Sequence, residues 1–366
     1  MGGGSEDHCR AMLPRMLTTR TGPANVIVPG QRINPGILAV AGLNAIIGTT
    51  VALTIAPLVW SVDGDRNLGA AHALLAGTFG QDHGYLYSPL AAAITVPAAV
   101  GLPYALAVAG WLLSRLGVLL AGVAQQTRGL SNADRILVAL AVGSFVPSLH
   151  DLLLGNVSIL ITAVVAFVAW GADGYGRGLP LGLILATVPK PALIAILLWM
   201  VVYRRRAFLS AIGSAAVLTL FGVVVIGASA YANWLSVLWH PDYLGTNQAG
   251  NLALGAMVPG ILAWPLMAGT VVGTLVALRR GESPGLIACL CAGLLIAPYT
   301  MAYGAVLLLL AVRPLAQASP RATFVLAATG SIGVIIFLPL WVGAILISTL
   351  AVPRAAWTRL QQGAES

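Results

Sequence analysis

Apolar runs recur from residue 36 to residue 352 and leave little polar sequence between them. Most of these runs have about the 20 residues that a helix needs to cross the hydrocarbon core of a bilayer. Only 8% of the residues are charged and the mean hydropathy is +0.91, whereas a soluble surface needs roughly a quarter of its residues charged. The sequence therefore predicts an all-α, polytopic integral membrane protein.

We predict one transmembrane domain over 34–352, with a disordered basic tail at 1–33 and a C-terminal tail at 353–366. The last apolar run contains Pro339 and is long enough for one tilted span or two half-spans, so the total is about ten to twelve and its parity stays open. The predicted spans are 36–60, 88–102, 104–124, 133–149, 155–172, 179–202, 207–231, 253–278, 284–297, 299–313 and 322–351.

The formal charge of +8 arises from arginines in short loops and at the termini, which indicates membrane topology rather than nucleic-acid binding. With the N-terminus in the cytoplasm, 203–207, 279–283 and 313–321 lie on the cytoplasmic side. The longer loops at 61–87, 171–178 and 233–251 then lie outside and hold most of the acidic, His, Tyr and Asn residues. We therefore expect chemistry on the extracytoplasmic face of a bacterial cytoplasmic membrane, where a transferred group must arrive on a lipid.

The first long loop contains "DRNLGAAHALLAG", in which Leu68, Ala71, Leu74 and Leu75 recur at helical spacing. This pattern predicts a helix lying flat at the membrane interface, capped by Asp65 and ended by a glycine two residues after Leu75. Asp63 lies just before it and is either a solvated loop residue or a carboxylate held over the membrane surface. The "DGD" at 63–65 is also the one outer position where a divalent ion could enter, although we expect no metal and no cofactor.

Lys190 is the only lysine of the chain and lies between Pro189 and Pro191 inside an apolar run. The two prolines lack N–H groups, so the carbonyls of Leu185 and Thr187 lose their helical partners. A charged side chain at mid-span costs about 2.5–3.5 kcal/mol on insertion scales, so we expect it to face an internal cavity. A lysine that snorkels to the interface, or is held by the freed carbonyls, is the alternative.

Several segments form an ordered set along the chain. The first is D-x6-A-A-x-A-L-L-A-G from Asp63 to Gly77, followed by "YLYSPLAAAITVPAAVGLP". The others are "GNVSILITAVVAFVAW" (155–170), "GLPLGLILATVPKPALIAILLWMVVYRRRA" (178–207), "GNLALGAM" (250–257) and "APYTMAYGAVLLL" (297–309). This set resembles the GT-C membrane glycosyltransferases, and within them glycosyltransferase family 87, the branch that includes polyprenyl-phosphate-mannose-dependent mannosyltransferases. Asn67, Asn156 and Tyr303 stand where the family commonly has Tyr, Gln and His.

The resemblance implies an inverting transfer of a sugar, mannose above all, from a polyprenyl-phosphate donor to a glycolipid or polysaccharide acceptor. It makes Asp63 the base that takes the acceptor proton, because a carboxylate at the bilayer surface suits that role. Lys190 and Arg66, with Arg177 as a further outer-loop candidate, would bind the donor phosphate. The candidate substrate-binding residues are Asp65, His72, Tyr87, Asn251, Tyr299 and Tyr303, with His240, Asp242, Tyr243 and Asn247 as a possible sugar surface.

His150 and Asp151 fall at the cytoplasmic end of a predicted span, so we expect them to lie outside the site. The main rival function is a lipid or sugar-phosphate transporter, because broken helices and a cation inside the membrane also bind anionic cargo. A non-catalytic membrane scaffold is the third class. The absence of an internal repeat and the interfacial helix favour the enzyme.

Overall fold

The computed structural model describes residues 42–43, 46–50, 54, 60–80, 85–128, 135, 145–239, 251–318 and 337–362. All regular elements in these ranges are helices, which confirms the predicted all-α fold class. In chain order they are α1 Val62–Leu75, α2 Pro89–Gly101, α3 Tyr104–Thr127, α4 Val146–Leu154, α5 Ser158–Ala169, α6 Tyr175–Thr187, α7 Leu193–Tyr203, α8 Arg205–Ile226, α9 Ala228–Leu238, α10 Leu254–Met257, α11 Gly260–Arg280, α12 Glu282–Ile296, a 3-10 helix Ala302–Leu308, α13 Leu309–Ala318, α14 Phe337–Ala351 and α15 Arg354–Gln362.

Three described helices, α3, α8 and α11, are long and apolar enough to cross a membrane by length and composition. Their outer faces carry large apolar side chains that no other described element covers, such as Leu113, Val224 and Trp264, with 64%, 75% and 76% of their surface exposed. Exposed apolar faces of this size are typical of contact with lipid or with other protein segments, and their length and composition here fit lipid. Most of the first apolar run and residues 319–336 of the last one lie outside the described residues.

Helix α2 does not cross the bundle, so the single span predicted over 88–102 is wrong. It packs antiparallel along α1: the Thr95 hydroxyl is 3.3 Å from the carbonyl of Asn67, and Ala92 packs near Ala70. The next helix, α3, starts beside α1 as well, because the Tyr104 hydroxyl donates to the Asp65 carboxylate at 2.6 Å. The two ends of α2 therefore lie at the same end of the bundle.

The predicted span over 179–202 is likewise wrong, because it forms a hairpin of two short helices, α6 and α7. The helix breaks between Val188 and Ala192, where the two prolines remove the backbone donors. As predicted, the carbonyl of Thr187 needs another partner, and the backbone N–H of Ser88 donates to it at 2.9 Å. Lys190 lies at the tip of this hairpin.

The start of α6 and the end of α7 lie at the same end of the bundle. The Asp173 carboxylate, just before α6, accepts the backbone N–H groups of Arg206 and Ala207 at 3.2 and 3.0 Å. The loop 171–178 therefore lies beside 203–207, and its predicted placement on the opposite side is wrong. Arg204 also pairs with Glu282 at the start of α12. We call this part, which holds Arg177, Arg204–Arg206, Arg279 and Arg280, the arginine-rich end.

Small residues allow α8 to pack closely along α6. A Cβ on Gly178 would come within 1.9 Å of the Ala207 carbonyl, and one on Gly182 within 2.6 Å of the Ala211 carbonyl. Glycines four residues apart form one stripe, which lets two helix backbones approach where lipid provides no hydrophobic driving force. This contact fixes α6, and with it the hairpin tip, against the rest of the bundle.

Candidate active site

Asp63 lies in the first turn of α1, next to the turn that follows α4. The helix begins at Val62, after Ser61, whose φ of 57° is left-handed and whose backbone N–H donates to the Leu153 carbonyl at 2.7 Å. Asp65 is thus the fourth residue of the helix and not its cap, which corrects that prediction. The side chain of Asp63 is only 14% exposed.

A glycine contact sets the position of Asp63. Gly155 ends α4 with φ +82°, and a Cβ there would lie 2.7 Å from the backbone nitrogen of Gly64. Glycine is required on both counts, because it tolerates the left-handed conformation and leaves room for the neighbouring backbone. The Asp63–Gly64 backbone therefore rests directly on the Gly155–Asn156 turn.

Asn156 joins the two residues on which the sequence prediction centred. Its amide nitrogen donates to Oδ2 of Asp63 at 2.6 Å and approaches the Tyr87 hydroxyl at 3.2 Å. Its amide oxygen accepts from Nζ of Lys190 at 2.9 Å. The carboxylate and the ammonium, 127 positions apart in the sequence, are thus linked through one side-chain amide that is only 1% exposed.

Lys190 is enclosed by further side chains, so the snorkelling alternative does not hold. Its Nζ donates to the Ser158 hydroxyl at 2.8 Å and lies 5.0 Å from the ring centroid of Tyr303, a cation–π contact. His150 packs edge-on against Tyr303, and their ring centroids are 6.0 Å apart. A short helix, α4, thus supplies an imidazole next to the aromatic ring that Lys190 contacts.

A fully buried ion pair stabilises the turn that contains Asn156. Arg115 of α3 and Asp151 of α4 are 2% and 0% exposed, and their nearest charged atoms are 3.8 Å apart. Arg115 also donates to the backbone carbonyls of Asp151, Leu152 and Asn156, while Asp151 accepts the N–H of Ser158 at 2.9 Å. The arginine thus adds donors to the carbonyls at the end of α4, where the Asp151 carbonyl also accepts the backbone N–H groups of Gly155 and Asn156.

The charges of this cluster alternate: Asp63 and Asp151 face Lys190 and Arg115. Burial raises the pKa of Tyr87, and the nearby Asp63 carboxylate raises it further, so this hydroxyl stays neutral. Burial lowers the pKa of His150, although the attraction of Asp63 opposes the change. The cluster therefore presents one carboxylate oxygen that has only a long contact from Arg66, one ammonium and neutral donors, an arrangement suited to proton removal next to an anion.

The sequence matches a model of a known protein family. The model for glycosyltransferase family 87 matches residues 85–339, more than two thirds of the 366 residues. The chain belongs to glycosyltransferase family 87. No curated protein and no solved structure matches it. The matched range holds Tyr87, Asn156, Lys190 and Tyr303, whereas Asp63 precedes it and is joined to this cluster by the hydrogen bond from Asn156.

Other predicted site residues of α1 lie at the edge of the cluster around Asn156. Arg66 is exposed and reaches Oδ1 of Asp63 at 3.4 Å, a long contact. Asp65 accepts the Tyr104 hydroxyl, and His72 lies two turns further along the exposed face of α1. Asn67 belongs to the buried face of α1, where its amide oxygen accepts the Tyr85 hydroxyl at 3.1 Å.

Asn251 supports the loop that carries Tyr299. Its amide nitrogen donates to the Pro298 carbonyl at 2.9 Å, and its amide oxygen accepts the backbone N–H groups of Ala253 and Thr300. All of these partners are backbone groups. Asn251, which was predicted to bind substrate, therefore has the contacts of a residue that stabilises the 298–300 turn. His240, Asp242, Tyr243 and Asn247 lie outside the described residues.

Two sequence predictions about the position of charged residues are overturned. Arg177 lies at the arginine-rich end, where its guanidinium stacks 4.2 Å from the ring centroid of Phe167 and donates to the Phe167 carbonyl. It is separated from Lys190 by the 13-residue α6, about 20 Å, and cannot share a phosphate with it. Conversely, His150 and Asp151 belong to the cluster around Lys190 and do not lie at the opposite end.

Sequence reasoning missed Arg115, Asp151 and Ser158 as parts of the site. Arg115 offered a signal, because a charge in the middle of an apolar span is costly and marks a partner inside the bundle. The described residues contain no group of three or more His, Cys, Asp or Glu side chains placed to hold a metal ion. In "DGD", Asp63 and Asp65 are directed to different partners, Asn156 and Tyr104.

Proposed function

We propose that this protein transfers a sugar, with mannose as the first candidate, from a polyprenyl-phosphate donor to a hydroxyl of a glycolipid or polysaccharide acceptor, with inversion at the anomeric carbon. The transfer takes place at the extracytoplasmic face of a bacterial cytoplasmic membrane. The observation that carries the proposal is the Asn156 amide between the Asp63 carboxylate and the Lys190 ammonium. It holds a base and a phosphate-binding cation in one fixed unit.

Asp63 acts as the general base. Its Oδ2 is engaged by Asn156 at 2.6 Å, whereas Oδ1 has only the long contact from Arg66. Oδ1 is therefore the oxygen that accepts the proton of the acceptor hydroxyl while that oxygen attacks the anomeric carbon. A positioned base of this kind accelerates transfer by about 10²–10⁴-fold.

Lys190 acts on the leaving group. Two of its three N–H bonds point to Asn156 and Ser158, which leaves the third for a phosphate oxygen. As the acceptor oxygen bonds to the anomeric carbon, the bond from that carbon to the phosphate oxygen breaks and polyprenyl phosphate leaves with both electrons. The ammonium stabilises the charge that grows on this oxygen, which is the term that lowers the barrier most.

The position of the cluster supports the proposed membrane face. The hairpin tip with Lys190 is the part of α6 and α7 furthest from the arginine-rich end. Loops rich in arginine stay on the cytoplasmic side. A site at the other end meets the periplasmic compartment, where sugars are delivered on lipids.

The experiment is a transfer assay with membranes that contain the wild type, Asp63→Asn, or the control Asp173→Asn, which neutralises a carboxylate at the arginine-rich end. Radiolabelled polyprenyl-phosphate mannose and polyprenyl-phosphate glucose are supplied separately, and labelled products are measured. We expect the wild type and Asp173→Asn to transfer one of these sugars, and Asp63→Asn to be at least about 100-fold slower. Equal transfer by Asp63→Asn would exclude this carboxylate as the base, and no transfer from either lipid by the wild type would contradict the donor class.

A second function, movement of a lipid-linked or phosphorylated sugar across the membrane, is favoured by one observation. The α6–α7 hairpin places a lysine at a helix break, as transporters do at anionic cargo sites. Reconstituted protein separates the two: a transporter moves a fluorescent polyprenyl-phosphate lipid between leaflets with the glycosidic bond intact, whereas the proposed enzyme releases polyprenyl phosphate only when acceptor is present.

A further inference from the structure

A second charged site lies at the arginine-rich end, away from the catalytic cluster. A cavity of about 500 Å³ opens between the last turn of α11 and the junction of α14 with α15. Its walls contain three guanidinium groups and apolar side chains: Arg279, Arg280, Arg354, Val276, Leu350 and Val352. We propose that this cavity binds the headgroup of an anionic phospholipid.

The arginines are available for such a ligand. Arg280 donates to the Leu350 carbonyl, which holds α11 against the end of α14. Arg279 and Arg354 are exposed to the surroundings of the protein. The carboxylate nearest in sequence, Glu282, forms an ion pair with Arg204. Three guanidinium groups around one opening therefore create a local positive potential that attracts a phosphate.

The surroundings favour a lipid over a soluble anion. Beside Arg279, α11 exposes Val272 and Leu275, which are 60% and 49% exposed, and Ile347 of α14 is 68% exposed. These side chains continue the apolar lining of the cavity towards the surface that faces hydrocarbon. A phosphate at the arginines would thus place acyl chains along α11 and α14, as in basic lipid pockets between membrane helices.

The site is separate from the donor site. The turn between α11 and α12 packs on the far end of α7, where Tyr203 donates to the Leu278 carbonyl. From there α7 extends 11 residues, about 17 Å, to the hairpin tip with Lys190. A lipid bound at Arg279 therefore cannot reach Asp63 with its headgroup, and the proposal does not depend on the chemistry at that end.

The test measures binding by thermal unfolding of the purified full chain in a neutral detergent. Phosphatidylglycerol, phosphatidylcholine and inorganic phosphate are titrated separately into the wild type, into Arg279→Gln/Arg354→Gln, and into the control Arg205→Gln/Arg206→Gln, which removes two exposed arginines of the same end. We expect a saturable rise in Tm with phosphatidylglycerol alone for the wild type and the control. Each arginine near an anionic lipid contributes about fivefold in affinity, so the double variant should need about 30-fold more lipid.

Several outcomes would overturn the proposal. An equal shift with phosphatidylcholine would mean that any lipid covers the surface, and an equal shift with inorganic phosphate would mean that the cavity takes a free anion. If Arg279→Gln/Arg354→Gln lowered Tm without lipid but kept the lipid response, the arginines would only complement the helix ends. An equal loss of response in the control variant would reduce the effect to the net charge of this end.

Discussion

Gly155→Ala isolates the contribution of the turn that sets Asp63 against Asn156. The substitution places a methyl group 2.7 Å from the backbone nitrogen of Gly64, and an ordinary contact needs at least 3.4 Å. The Asp63–Gly64 backbone must therefore retreat by about 0.7 Å, which lengthens the 2.6 Å bond between Asp63 and Asn156. Because a displacement of about 1 Å at a reacting group can cost about 100-fold in rate, we expect sugar transfer to fall by tens-fold to about 100-fold.

The control is Gly77→Ala. Gly77 also has a left-handed backbone, with φ +72°, but a Cβ there meets nothing within 4 Å. Both variants carry the same backbone penalty of about 1–2 kcal/mol, visible in thermal unfolding, whereas only Gly155→Ala displaces Asp63. The assay is lipid-linked sugar transfer per amount of folded protein. Equal activity of the two variants would refute the claim that the contact between Gly155 and Gly64 positions the base.

Three further predictions concern the lysine, the helix packing and the buried ion pair. Lys190→Met should lower the rate of transfer by about 10²–10³-fold, measured at saturating donor, and full activity would remove the ammonium from the mechanism. Gly182→Ala should destabilise the protein by about 1–3 kcal/mol, because its methyl group meets the Ala211 carbonyl. Gly213→Ala, whose methyl group meets nothing, should be neutral or stabilise the protein by up to about 1 kcal/mol. Thermal unfolding in detergent compares the two variants, and the reverse order would contradict the packing of α8 on α6. Arg115→Met should cost about 3–5 kcal/mol by the same measurement, since it removes the ion-pair partner of the buried Asp151 and the donor to the carbonyls of Leu152 and Asn156. A loss below about 1 kcal/mol would mean that the pair is not buried.

The helical class and the identity of the family could be predicted from the sequence, because long apolar runs and an ordered set of short segments carry both. The topology between residues 88 and 203 could not. Hydropathy treats 88–102 and 179–202 as crossings, yet the first packs along α1 and the second is a hairpin. A short apolar helix has the same composition in either arrangement, so composition alone does not separate them.

These two errors cancel beyond the hairpin. Counting 88–102 as a crossing inverts everything after it, which puts His150 and Asp151 on the wrong side and 171–178 opposite 203–207. Counting 179–202 as one crossing inverts the chain again, so 203–207 and 279–283 fall together, as the ion pair between Arg204 and Glu282 requires. The positive-inside pattern constrained only the loops that carry several arginines.

The candidate site was partly visible in the sequence for a different reason. Asp63 and Lys190 are unusual enough in an apolar chain to attract attention, and the resemblance gave both a role. Asn156, Arg115 and Asp151 act through contacts with residues more than 30 positions away or through carbonyls whose partners depend on the packing. No local pattern encodes such contacts.

The most direct test of the central claim is a cryo-electron microscopy structure of the protein with its polyprenyl-phosphate sugar donor bound. The claim predicts the phosphate within hydrogen-bond distance of Nζ of Lys190 and the anomeric carbon facing Oδ1 of Asp63, with Asn156 still joining the two residues. A donor headgroup bound away from Lys190, with Asp63 turned from the sugar, would contradict it.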